Sequence, residues 1–131
     1  MILLDTHASV WALGDNPALR SSARRMIEAA SVVYVSAISF FEIGQKARLG
    51  KWPEMVPYVE SLPSLLARQG GTSVPITAQI ASRATCLAWE HRDPFDRILA
   101  ATALELDVVI VSADRAFDGF EAAGKRISRV W

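Results

Sequence analysis

Four carboxylates carry the chemistry that this sequence could perform. Asp5 closes the apolar run MILLD, and Asp114 follows a second such run in VVIVSAD. Glu42 lies in SAISFFEIG and Asp96 in HRDPFDRILAATAL. Acids placed at strand ends and helix starts collect at the carboxyl edge of a parallel sheet, which is where such sheets bind ligands. Bare carboxylates crowded together repel, and some stay protonated unless a cation joins them. An all-oxygen donor set suits Mg²⁺ or Mn²⁺, and ions of this kind promote in-line displacement at phosphorus by water. Asp5, Glu42, Asp96 and Asp114 are therefore the candidate metal ligands and catalytic residues.

Two of these acids admit a second reading. Glu42 has Lys46 four residues on, the favoured spacing for a helix-surface ion pair. Asp96 follows Asp93–Pro94, which read as an N-cap and first helical residue. An acid in that first turn also offsets the positive helix end, by about 0.3–1 kcal/mol. We assign capping to Asp93. Ala100 and Ala103 share the side of the helix on which Asp96 lies, and small residues there let the helix lie close to the sheet with Asp96 aimed into the crevice.

The elements that must position these acids alternate. Ile2–Leu4, Val32–Val35 and Val108–Val111 are short, continuous apolar runs, as strands covered on both faces are. A weaker strand lies in RISRVW, and Ser73–Val74–Pro75 is a short edge strand. Helical patterns cover His7–Leu13, Pro17–Ala30, Ile38–Leu49, Met55–Gln69, Thr77–Trp89 and Pro94–Leu106, with a turn over Arg115–Ala122. Strands alternating with helices predict an α/β domain of three layers, with a central, mainly parallel sheet. The helices of the middle third exceed what such a sheet requires and are expected to form an extra arm. The 131 residues are expected to be one domain, 1–131.

Composition narrows the function further. Fourteen Lys and Arg balance fourteen Asp and Glu, which excludes a uniformly basic nucleic-acid coat and an acidic tail. Cys86 is the only cysteine, so no intramolecular disulfide can form, and its helical surroundings suggest a core position. Neither His7 nor His91 has a metal-type partner close in sequence, so zinc is not expected. There is no GxSxG, no glycine-rich phosphate loop and no dinucleotide fingerprint. Met1–Leu4 lacks the basic lead and long apolar stretch of a secretory leader, and VVYVSAISFF falls short of a membrane span. The cytoplasm is the expected compartment, with no membrane partner.

LLDTH, SAISFFEIG, RDPFDRILAATA and VIVSADRAF, in this order, resemble the PIN-domain family, and in particular the VapC-type toxins of bacterial toxin–antitoxin pairs. The resemblance covers essentially the whole chain, and RDPFDR with its small-residue helix is its most specific piece. It implies a PIN fold and a Mg²⁺- or Mn²⁺-dependent ribonuclease acting as a toxin. It also implies a small VapB-like antitoxin that binds across the active site, and a homodimer. The family's acidic site falls on Asp5, Glu42, Asp96 and Asp114, with Ser112 at its supporting hydroxyl position; Thr6 and Ser36 are further supporting candidates. The pattern is intact at all four acids.

An RNA substrate needs cations for its phosphates. Arg20, Arg24 and Arg25, then Lys46, Arg48 and Lys51, and then Arg92 and Arg97 form local basic groups, and Arg97 beside Asp96 is the best single candidate for a phosphate contact. Phe41 is expected in the core, whereas Trp11 and Trp52 are expected to line a partner groove. Two rival readings are a receiver-type phosphoacceptor domain and a non-catalytic binding module on the same fold. The first lacks its acceptor aspartate, since Ser36 follows VVYV, and its late lysine, which VVIVSADR does not supply. The second is opposed by the four intact acids.

Overall fold

The computed structural model describes residues 1–122 and 124–131. Its strands are β1 (Ile2–Leu4), β2 (Val33–Ser36), β3 (Thr72–Val74), β4 (Val109–Val111), a small hairpin of β5 (Glu121–Ala122) and β6 (Lys125–Arg126), and β7 (Arg129–Val130). Its helices are α1 (Thr6–Leu13), α2 (Ser21–Ala29), α3 (Ala37–Arg48), α4 (Leu62–Arg68), α5 (Ala78–Cys86) and α6 (Pro94–Leu106). Five strands form one sheet in the order β3-β2-β1-β4-β7, and every pair in it is parallel. From β1 the chain steps outward to β2 and β3, then returns to β4 on the other side of β1. That reversal is the switch point at which open parallel sheets form their ligand crevice.

Alternation along the strands divides the core. Leu3 and Ile110 pack with α5 and α6, against Ile80, Leu99, Ala100 and Ala103. Ile2, Leu4, Val35 and Val111 face the opposite way, onto Ala8 of α1 and Ala23 of α2. A strand buried on both faces in this way requires the unbroken apolar run seen in the sequence. Ala100 and Ala103 are wholly buried, so α6 lies close to the sheet as its small residues require.

The middle third is the expected extra arm, but it is not one helix. Residues Pro53–Ser61 form a 3₁₀ stretch before α4 begins. Pro53, Pro57 and Pro63 each lack an amide donor, and a proline inside a helix clashes with the preceding turn. The arm folds back on α3 around Ile43, Ala47, Met55 and Leu62. The first helical pair is likewise shorter than expected, since α2 begins at Ser21 and not at Pro17. Asn16 Oδ1 accepts the Ala18 amide at 2.9 Å, a local turn that competes with helix.

Two core assignments are corrected. Cys86 is exposed. The buried stripe of this segment is Ile80, Ala84 and Leu87, and Cys86 lies off it. Phe41 is 61% exposed, with its ring 6.2 Å from that of Phe95. The inner face of α3 is Ile38, Ser39, Glu42, Ile43 and Ala47, so helical spacing places Glu42 inside and Phe41 outside. Among the described residues no helix is long and apolar enough to cross a membrane.

Candidate metal and active site

Each of the four acids is held by the local structure that introduces it. Asp5 directly follows β1 and caps α1, with Oδ1 accepting the Ala8 amide at 2.6 Å. Glu42 is two turns into α3, whose start is capped by Ser36 through the Ile38 amide at 3.3 Å. Asp96 is in the first turn of α6, behind the expected cap: Asp93 Oδ1 accepts the amides of Phe95 and Asp96 at 2.8 and 3.3 Å. Asp114 follows β4 and caps a short 3₁₀ turn through the Ala116 amide at 2.8 Å.

These separate elements converge. Asp5, Glu42, Asp96 and Asp114 line one cleft of about 160 Å³, with Thr6, His7, Lys46 and Asp93. Asp5 and Glu42 are each 7% exposed, Asp96 is half-buried and Asp114 is open to solvent. Burial raises the pKa of Asp5 above its ordinary value, against hydrogen bonds from Ser112 and the Ala8 amide that favour the anion, and the nearby Glu42 charge adds to the rise. Burial raises that of Asp96 as well, opposed by His91 and reinforced by Asp93 and Asp114. Two carboxylates whose negative charge is penalised, opening into a cleft with two more, form a donor set that a hard divalent cation relieves.

The candidate hydroxyl residues lie beside these acids. Ser112 is fully buried; its Oγ accepts the Asp114 amide at 3.0 Å, and its hydroxyl favours the Asp5 anion, so it serves both acids at the switch point. The hydroxyl of Thr6 donates to Glu42 Oε2 and lies 3.1 Å from Ser39 Oγ. Ser36 serves the start of α3. The ion pair read as the alternative for Glu42 is also present, with Lys46 Nζ 2.7 Å from Oε1. Its glutamate is nevertheless buried and lines the cleft, so pairing and cleft position coexist at one side chain.

Two readings of the sequence change. Arg97, the candidate phosphate contact, turns its guanidinium to the protein's own backbone. Its guanidinium donates to five backbone carbonyls: Nε to Ala84 at 2.8 Å, Nη1 to Trp89 and His91 at 2.8 and 2.9 Å, and Nη2 to Leu87 and Thr85 at 2.8 and 3.3 Å. All five of its N–H groups are used. His91 does have an acidic partner, since its Nε2 lies 2.6 Å from Asp96 Oδ2. His91, Asp96 and Asp114 bring ligand atoms within 4.8 Å of one another. The clue in the sequence was position: His91 precedes the α6 cap by two residues, and the turn into the helix carries it beside a first-turn acid. Trp11 and Trp52 are half-buried and engaged within the chain, where Trp52 stacks on His7 at 5.1 Å and Trp11 lies 5.5 Å from Trp131.

A five-stranded parallel sheet with a cleft of four carboxylates at its switch point defines the class as an open parallel α/β domain. The PIN domain model matches residues 2–122, and the chain belongs to the PIN-domain family. It is 32% identical over 115 residues to Ribonuclease VapC22 of Mycobacterium tuberculosis, covering 87% of each chain. Its fold is similar to DNA-bound VapBC from Salmonella typhimurium, with a TM-score of 0.66, 20% identity, and 98% of this chain and 96% of that one covered. It is similar also to Mycobacterium tuberculosis VapC20, a sarcin-ricin loop cleaving toxin, with a TM-score of 0.64, 16% identity, and 96% and 99% covered.

Proposed function

We propose that this chain is a divalent-metal-dependent endoribonuclease and the toxin of a type II toxin–antitoxin pair. The observation that carries the reading is the convergence of Asp5, Glu42, Asp96 and Asp114, from four separate elements, on one small cleft. The 32% identity to a ribonuclease over most of both chains supports RNA as the substrate class. Asp5, Asp96 and Asp114, with Glu42, would hold Mg²⁺ or Mn²⁺, and the all-oxygen set favours either over softer metals. A cation bound there supplies the positive charge that activates water and offsets charge on the phosphodiester.

The protein's own groups set the rest. The strand end and helix cap at Asp5 fix that carboxylate more firmly than a loop would. Ser112 holds the Asp114 amide and favours the Asp5 anion, and Thr6 donates to Glu42. Lys46, on the wall of the cleft, is the cation placed to meet a phosphate oxygen, in the role first assigned to Arg97. A VapB-like antitoxin would cover the cleft and the adjacent groove lined by Phe40, Phe41, Gly44, Arg48 and Val59, where Phe41 is bare. A homodimer and a cytoplasmic location complete the proposal.

Incubation of the purified chain with total RNA, in Mg²⁺ or Mn²⁺ and in EDTA, tests it. Cleavage that requires metal and disappears in folded Asp5→Asn and Asp96→Asn proteins is the expected result. Cleavage that persists in those variants or in EDTA would refute the assignment.

A further inference from the structure

We infer that His91 and Arg97 act together as positioning residues that hold Asp96 in its metal-binding orientation; the inference rests on the metal site proposed above. His91 is gripped from two sides. Its ring nitrogen Nε2 lies 2.6 Å from Asp96 Oδ2, and its carbonyl accepts Arg97 Nη1 at 2.9 Å. Since Asp96 and Arg97 are consecutive, the three residues close a ring: imidazole to carboxylate, backbone to Arg97, guanidinium back to the His91 carbonyl.

The loop that carries His91 has little structure of its own. Residues 87–93 lie between α5 and α6 with no helix or strand. Its order comes from Arg97, which binds the carbonyls of Leu87, Trp89 and His91 and, at the end of α5, those of Ala84 and Thr85. Aromatic packing braces the other side, where the Trp89 ring lies 4.7 Å from that of His91, 4.7 Å from Phe120 and 5.5 Å from Phe117. The imidazole is thus delivered to Asp96 by a pinned loop and not by a free side chain.

In its Nε2–H tautomer the imidazole donates to Asp96 Oδ2 across this 2.6 Å contact. That bond holds the carboxylate through Oδ2, and Oδ1 makes no hydrogen bond among the described residues. Hydrogen-bonded partners of metal-binding carboxylates typically alter affinity or activity by about 10–100-fold when removed.

The test is Mn²⁺ affinity, measured by calorimetry at fixed pH without RNA, on folded proteins. His91→Ala should weaken Mn²⁺ binding by about 10-fold or more, whereas His91→Gln, whose amide can donate from the Nε2 position, should stay within about threefold of wild type. Arg97→Lys should weaken binding as His91→Ala does, and the double variant should be no weaker than His91→Ala alone, because both act through one contact. Unchanged affinity in His91→Ala, or losses that add in the double variant, would overturn the inference. Equal losses in His91→Ala and His91→Gln would also overturn it, making the imidazole a direct ligand. Wild-type protein that binds no Mn²⁺ would instead refute the metal site, and this inference with it.

Discussion

Arg97→Met separates a structural clamp from a surface cation. The wild-type guanidinium makes five hydrogen bonds to carbonyls, four of them at 2.8–2.9 Å. Hydrogen bonds to a charged group are worth about 1.5–3 kcal/mol each, net of water. Five at that value would rival the whole stability of a domain, about 5–15 kcal/mol, so they do not simply add. On removal, part of the 84–91 segment regains backbone freedom of about 1–2 kcal/mol per residue, and exposed carbonyls find water. What remains is close to the larger single-site losses, those from breaking a hydrogen-bond network, about 3–5 kcal/mol. Urea unfolding followed by circular dichroism should show a midpoint lower by about 2 M, at a slope of about 2 kcal/mol per molar. A surface arginine would change stability by no more than about 0.5 kcal/mol. A measured loss below about 1 kcal/mol would refute the clamp.

Further predictions concern the cleft. Asp5 and Asp96 have raised pKa values in the folded protein, mainly through burial, so the native state binds more protons than the unfolded chain between their ordinary and raised values. In EDTA, stability should therefore fall as pH rises through that window. Asp5→Asn keeps the helix cap, so it should flatten the fall and melt higher than wild type at pH 7; a rise in stability across the window would contradict the argument. Lys46 lies 2.7 Å from Glu42 and shares the cleft. Lys46→Met should tighten Mn²⁺ binding by about fivefold, as removal of a partly screened like charge of about 1 kcal/mol would, while slowing RNA cleavage; weaker Mn²⁺ binding would contradict it.

How far the sequence could be read depended on periodicity. ILL, VVYV and VVIV became the three central strands within one residue, because burial on both faces leaves an unbroken apolar run. Asp93–Pro94 marked the start of α6 correctly, since capping is local chemistry. The failures had two sources, helical phase and tertiary geometry. Phe41 was assigned to the core on hydrophobicity, but stricter 3.6-residue spacing from Ile38 selects Glu42. Cys86 was misplaced for the same reason. The role of Arg97 depends on where five carbonyls of an irregular loop fall, and no pattern in the chain encodes that. His91 is in the same loop, so its meeting with Asp96 was legible only once the turn into α6 was built.

The central claim is that four carboxylates from separate elements hold a divalent cation. Anomalous diffraction from crystals soaked in Mn²⁺ tests it most directly. The account predicts a strong peak in the cleft bounded by Asp5, Asp96 and Asp114, with Glu42 on its wall. No peak there at saturating Mn²⁺, or occupancy elsewhere on the chain with the cleft vacant, would contradict it.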